Sequence, residues 1–337
     1  MQTSKKSLLR YLLLSVLGRA GLTVLLTVAV MLLGIGWWKR TESGVPSELW
    51  DQEKLEWRGA ADSVILGDSR AGSGVLPKVL DDGLPGRKTL SFTFSNNGYT
   101  ERYLTDAERV FAPPSGKPRS LILSVSPFAL SEKQQKVSYT EVDHGKSYAW
   151  KWKHLTWLMA NTRPFGKWNY IDRLRGKGER GWFRHHNADG SWTGYRVPPR
   201  PDLGPARVKA EYANAKASPE VMEGLLKAVR HYRSIGIQVY GFRPPTAPDL
   251  YELETAATGW DELHFPERFV EAGGVWFTLP PQPDGWESYD GSHIPPDRSE
   301  RLSRYVLEVM KATEAGTPDP LIFSTKTSTI PSPVPDR

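Results

Sequence analysis

The stretch from Ala20 to Trp38, AGLTVLLTVAVMLLGIGWW, runs nineteen residues without a charge. A helix rises 1.5 Å per residue, so a run of this length spans the hydrocarbon core of a bilayer, about 30 Å. It has no polar face to offer water, and this constrains the chain more than any other feature. Arg19 precedes the run, Lys39 and Arg40 follow it, and Trp37 and Trp38 fall where an interfacial aromatic belt belongs. A cleavable signal peptide has a shorter apolar region, roughly 7–15 residues, and ends in small residues. This run ends Trp-Trp-Lys-Arg and reads as an uncleaved transmembrane helix over 20–38. Lys5, Lys6, Arg10 and Arg19 stand in residues 1–19 with no acid. The positive-inside rule therefore predicts a single-pass protein with a cytoplasmic tail and an extracytoplasmic remainder.

The anchor also accounts for the charge. The whole chain carries +6, which alone would suggest nucleic acid or an anionic surface as partner. The tail supplies +4 and Lys39 with Arg40 supply +2, so the remainder is near neutral. No nucleic-acid-binding motif is present, and the expected location argues against such a partner. The remainder is uneven, however: residues 144–200 hold twelve Lys or Arg against three Asp or Glu. The absence of cysteine removes disulfides, thiolate metal sites and cysteine nucleophiles from consideration.

Past a polar linker over 39–60, short apolar runs alternate with amphipathic stretches. Strands are predicted at 63–66, 90–94, 120–125, 238–242 and 275–279, and helices at 99–111, 220–235, parts of 251–272, and 297–311. This alternation predicts an α/β domain over 61–312: a three-layer α/β/α sandwich around a mostly parallel five-stranded sheet. Residues 131–217 interrupt the pattern as a basic insertion with six tryptophans: Trp150, Trp152, Trp157, Trp168, Trp182 and Trp192. Residues 313–337 are rich in Thr, Ser and Pro and read as a disordered tail.

Two short motifs carry candidate chemistry. Gly67-Asp68-Ser69-Arg70 follows the first strand, which exposes a serine at the sheet edge beside backbone amides able to hold an oxyanion. Tyr289-Asp290-Gly291-Ser292-His293 lies between the last strand and the last helix. A carboxylate three residues before a histidine can fold back onto its Nδ1 and leave Nε2 as a general base. Either motif alone is also an ordinary turn. Together they can open onto one edge of a doubly wound sheet.

With these motifs and this element order, the chain resembles the SGNH/GDSL hydrolase-like superfamily. The resemblance rests on Gly67-Asp68-Ser69-Arg70 and Asp290-Gly291-Ser292-His293 and covers roughly residues 60–312 without the insertion. It implies Ser69 as nucleophile, His293 as base and Asp290 as its orienting partner, with Gly98 of Ser95-Asn-Asn-Gly98 as an oxyanion donor. The family's third block, Gly-x-Asn-Asp, has no counterpart, since the third strand ends Ser124-Val-Ser-Pro127. The third oxyanion donor is then either missing or supplied from elsewhere, by Asn96, Asn97 or Ser126. The same departure is similar to membrane-anchored members that act on envelope polymers, among them alginate O-acetylation and teichoic acid D-alanine transfer proteins. The implied function is acyl-ester hydrolysis or O-acyl transfer on a cell-envelope or secreted glycan. No cofactor is needed, and a membrane acyl-donor protein is a further expected partner. The alternative is a non-catalytic glycan-binding protein on the same fold.

Four further residues are candidates for substrate binding. Arg70 and Arg243 sit where a substrate anion would lie, though a structural ion pair fits each equally well. Trp150 and Trp152 suit stacking on sugar faces or packing of the insertion. His185-His186 is read as a solvated loop rather than a metal site.

Overall fold

The computed structural model describes residues 15–29, 51, 54–136, 139, 181–280, 286–317 and 321–323. Five strands form one parallel sheet: β1 (Ser63–Gly67), β2 (Thr89–Ser91), β3 (Arg119–Ser124), β6 (Ile237–Phe242) and β7 (Val275–Trp276). Their spatial order is β2-β1-β3-β6-β7. The chain therefore starts in the middle, runs to one edge, returns past β1 and finishes at the other edge. That reversal makes β1 and β3 the topological switch point, where ligands bind in doubly wound sheets.

Strand alternation divides the core in two. Val64, Leu66, Leu121, Leu123 and Val239 face one side, packed by Tyr103 and Leu104 of α3 (Glu101–Glu108), Leu225 and Val229 of α5 (Pro219–Ser234) and Phe269 of α7 (His264–Glu271). Ile65, Ile122, Tyr240 and Phe242 face the other. There they meet Ala71 of α1 (Ser69–Gly74), Leu80 of α2 (Pro77–Gly83) and the stripe Leu302, Val306, Val309 and Met310 of α8 (Pro296–Ala315). Each buried Val, Leu, Ile, Phe and Met here contributes about 1.5–3 kcal/mol by leaving water, so the two apolar faces dictate a helix layer on each side.

The boundaries differ from the sequence expectation at the two ends of the domain. Residues 54–60 are part of the domain and not a linker. Leu55 is fully buried, and the amides of Gly59 and Ala60 donate to Arg109 O (2.9 Å) and Val110 O (2.8 Å). The described part of the insertion is folded onto the domain. It forms an antiparallel hairpin, β4 (Gly181–His186) and β5 (Trp192–Val197), followed by α4 (Leu203–Tyr212). The hairpin turn joins the sheet edge through Ser91 N donating to Asp189 O at 2.8 Å. Beyond α8, Thr278 N donates to Leu321 O (2.9 Å) and Phe323 N to Trp276 O (2.8 Å). Two-residue β7 would otherwise leave its polar edge bare, and this pairing covers it.

Residues 15–29 form a helix. No helix among the described residues is long and apolar enough to cross a membrane. The second half of the expected span, 30–38, lies outside the described residues, as do Trp150 and Trp152.

Candidate active site

The carboxyl ends of β1, β2 and β3 converge on one edge, and the site is built there. Gly67 closes β1 with φ +147, and a Cβ on it would come within 2.8 Å of Ala71 Cβ and 3.0 Å of Ser124 O. Only glycine lets the chain turn this tightly beside β3. Asp68 caps α1, accepting from Arg70 N at 2.9 Å, and leaves Ser69 as the first residue of that helix. The residues from 63 to 68 are buried and Ser69 is partly exposed, so its hydroxyl emerges at the end of a buried strand.

The second motif arrives from the loop before α8. Asp290 Oδ1 accepts from the amides of His293 (2.7 Å) and Ser292 (3.0 Å), which folds the loop back on itself. Gly291 holds φ +88 at the bend. Asp290 Oδ2 then lies 2.8 Å from His293 Nδ1, and His293 Nε2 lies 2.9 Å from Ser69 Oγ. Two residues 224 positions apart thus meet in hydrogen-bond contact. Burial pushes the Asp290 carboxyl up, but the His293 ring and the two amides outweigh it and hold it below the usual carboxylate range. The carboxylate is ionised, so it fixes Nδ1–H toward itself and turns Nε2 toward the serine as an acceptor. Tyr289 stacks on the imidazole at 6.0 Å and Trp192 meets it edge-on at 5.2 Å.

Ser69 and His293 open into a cavity of about 450 Å3. Its walls include Asn96, Asn97, Phe128, Gln134, Arg196 and Tyr212. Asn97 is buried, with its carboxamide beside the Tyr103 hydroxyl. Gly98 is not among the lining residues. It packs beneath the Gln134 main chain, where a Cβ would come within 2.8 Å of Gln134 O. The hydroxyl of Ser126 is committed to Asp68 Oδ2 at 2.9 Å. Of the side-chain candidates for the third oxyanion donor, Asn96 and Asn97 are therefore the ones that line the cavity.

The two arginines are held in ion pairs. Arg70 bonds Glu254 through Nη1 (3.1 Å) and Nη2 (3.0 Å) and Asp68 through Nε (3.2 Å) and Nη2 (3.0 Å). Glu254, on α6 (Pro248–Thr258), is fully buried. It also meets Arg243 Nη2 (3.5 Å) and accepts from Phe128 N (3.3 Å). Arg243 donates further to Thr255 Oγ1 (2.9 Å), Tyr251 O (3.0 Å) and Glu262. Arg243 thus does not reach the cavity, and Arg70, though at its wall, spends nearly all its donors on two carboxylates. The ion-pair reading holds for both, and it replaces the substrate-binding one. Arg70 stays a cation because Asp68 and Glu254 more than offset the cost of its burial.

Sequence reasoning missed Trp192, which the hairpin brings onto the His293 imidazole, and Lys54, which is buried and bonds Thr93 O at 2.6 Å. Asp189-Gly190 between two aromatic runs was the available hairpin signal. His185 and His186 belong to strand β4 and not to a solvated loop. His186 is shifted down to about 3 by burial and by the neighbouring charges of Arg184 and Lys54, so it stays a neutral ring. No group of His, Asp and Glu among the described residues could hold a metal ion. Compared with known proteins, the chain matches no family model, no curated protein and no solved structure.

Proposed function

We propose that this protein is a serine acyl-ester hydrolase or O-acyltransferase, as its resemblance to the SGNH/GDSL superfamily implies. The observation that carries the reading is the continuous hydrogen-bond chain Ser69 Oγ to His293 Nε2 (2.9 Å) and His293 Nδ1 to Asp290 (2.8 Å). In that geometry Ser69 Oγ attacks an ester carbonyl while His293 Nε2 takes its proton, and the Asp290 carboxylate stabilises the imidazolium. The tetrahedral oxyanion rests on the Ser69 amide, and the Asn96 and Asn97 carboxamides at the cavity wall are the candidates for a further donor. Collapse returns the proton from His293 to the departing alcohol and leaves the acyl group on Ser69. Water or a sugar hydroxyl then enters, gives its proton to His293 and takes the acyl group, and His293 passes that proton to the departing Ser69 Oγ.

The large cavity, with carboxamides, an arginine and the Phe128–Tyr212 pair (4.2 Å between rings), suits a hydroxyl-rich acceptor such as a glycan unit. The proposed setting is a membrane anchor with the domain outside the cytoplasm. The helix over 15–29 supports it, because Val16, Leu17, Leu22, Val24, Leu25, Leu26 and Val28 are all exposed and none packs on the domain. The unbroken apolar sequence on to Trp38 supports it further. A membrane protein that delivers acyl groups is the proposed partner.

Turnover of an activated acetyl ester by the detergent-solubilised protein, compared with Ser69→Ala, tests the reading. The variant is expected to fall to the uncatalysed background with unchanged thermal unfolding. A protein that folds, binds glycan and turns over no ester with or without Ser69 would instead be a binding protein. The spent Ser126 hydroxyl, at the place of the family's asparagine, is the observation that favours that second reading.

A further inference from the structure

Acyl transfer brings two groups to Ser69. The acyl group stays on Oγ through both half-reactions, whereas the alcohol must enter and leave. Ser69 lines two cavities of very different size. One is the cavity of about 450 Å3 described above. The other holds about 10 Å3 and is walled by Thr93, Phe94, Trp192, Lys54, Asp51 and Arg184, among others. A space of that size takes one water-sized group, which a methyl matches and a longer chain does not.

We propose that this small chamber is the acyl slot, that Phe94 and Trp192 limit it to a two-carbon acyl group, and that its charge excludes aminoacyl groups. The inference rests on the reading of Ser69 as nucleophile. The slot's walls do not yield cheaply. Phe94 is buried and touches Phe92, Tyr103 and Tyr139 with ring centres 5.0, 5.8 and 5.1 Å away. Trp192 is held between His293 at 5.2 Å and the Arg184 guanidinium at 4.0 Å. On the α1 side even a methyl at Gly72 would come within 3.0 Å of Trp192 Nε1. Close-packed rings of this kind are costly to displace, so the volume acts as a limit. The charge is equally specific. Lys54 and Arg184 bring two basic side chains to the chamber, and the one carboxylate among its described lining residues, Asp51, is already 3.1 Å from Lys54 Nζ. An α-ammonium on the acyl group would meet like charge in a space with no room for water beside the acyl group.

The experiment measures kcat/KM of the detergent-solubilised full chain for p-nitrophenyl acetate, propionate, butyrate and hexanoate. The acylated residue is read in parallel by intact mass. A methylene that does not fit costs roughly 10-fold or more. Acetate is therefore expected to exceed butyrate at least tenfold. Trp192→Ala is expected to raise the butyrate-to-acetate ratio at least tenfold, with Trp192→Phe in between. The ratio is the readout because Trp192 also touches His293, which lowers both rates together. The p-nitrophenyl ester of alanine is expected to be at least tenfold slower than propionate, and Lys54→Met, which removes one basic group from the chamber, to narrow that gap. Equal rates for hexanoate and acetate in the wild type would overturn the slot, as would a ratio unmoved in both Trp192 variants. Either result places the chain in the larger cavity while leaving Ser69 as nucleophile. Absence of acylation by every ester would overturn the nucleophile reading and the slot with it.

Discussion

Replacing Asp290 by asparagine separates the chemistry of the site from its architecture. Asp290 accepts four contacts: His293 N (2.7 Å), Ser292 N (3.0 Å), the His293 ring (2.8 Å) and, more loosely, Ser288 Oγ (3.4 Å). An asparagine keeps one oxygen for the two amides, so the loop retains its bend. What changes is the atom facing the ring. A carboxamide N–H cannot accept from Nδ1–H, so the imidazole adopts the other tautomer and presents Nε2–H to Ser69. It is then unable to take the serine proton. Loss of orientation and of imidazolium stabilisation costs on the order of 10^3–10^4-fold in kcat. At 1.36 kcal/mol per tenfold, that is about 4–5.5 kcal/mol of transition-state stabilisation. The loss in folding is smaller, about 1.5–3 kcal/mol for one hydrogen bond to a charged group. The assay is steady-state hydrolysis of an activated acetyl ester, with thermal unfolding measured on the same samples. A variant that retains more than a tenth of the wild-type kcat while folded would refute the role assigned to Asp290.

Other outcomes follow from the same geometry. Glu254→Leu leaves Arg70 and Arg243 buried without their shared carboxylate and is expected to destabilise the domain by about 3–5 kcal/mol in chemical denaturation; a loss below 1 kcal/mol would contradict the ion-pair assignment. Gly67→Ala, which meets Ala71 and Ser124 at φ +147, is expected to cost roughly 1–3 kcal/mol and to reduce kcat by displacing Ser69; a stable, fully active variant would count against the constrained turn. His186, shifted down to about 3, takes up its proton near 6.5 only when unfolded, so stability is expected to fall as pH drops from about 6.5 toward 3. His186→Gln is expected to flatten the melting temperature between pH 6.5 and 4.5, and a wild-type curve already flat there would refute the neutral buried ring. Asp68 and Asp290 are held below the usual carboxylate range and so stabilise the fold above about pH 4; that part is lost as pH falls below 4 toward their lowered values. Asp68→Asn is expected to reduce the steepness of acid unfolding in that range, and an unchanged profile would contradict it.

The motifs at Ser69 and at Asp290–His293 were legible in the sequence because each depends on local geometry: a strand ending in glycine, and a carboxylate three residues before a histidine. The sheet was legible because strands buried on both faces read as short apolar runs. What remained ambiguous depended on distant partners. Arg70 could not be distinguished from a substrate ligand because Glu254, which fixes it, lies 184 residues on, in a helix that reads as ordinary. Lys54 and Leu55 read as linker because burial of a lysine needs Thr93 O and Asp51 around it, and neither contact has a periodicity. In β4, Arg184, His185 and His186 run together without alternation, so charge content concealed a strand whose turn residues, Asp189 and Gly190, were in view. Trp192 stood among six insertion tryptophans, and only the register His186↔Trp192 brings it to His293.

The most direct measurement is to incubate the full-length protein with p-nitrophenyl acetate, quench in acid, and map the adduct by peptide mass spectrometry. A single acetyl group on Ser69, absent in Ser69→Ala and accumulating far more slowly in His293→Ala, is the predicted result. An unmodified Ser69, or an adduct only on surface lysines, would contradict the assignment of Ser69, His293 and Asp290 as an acyl-transfer site.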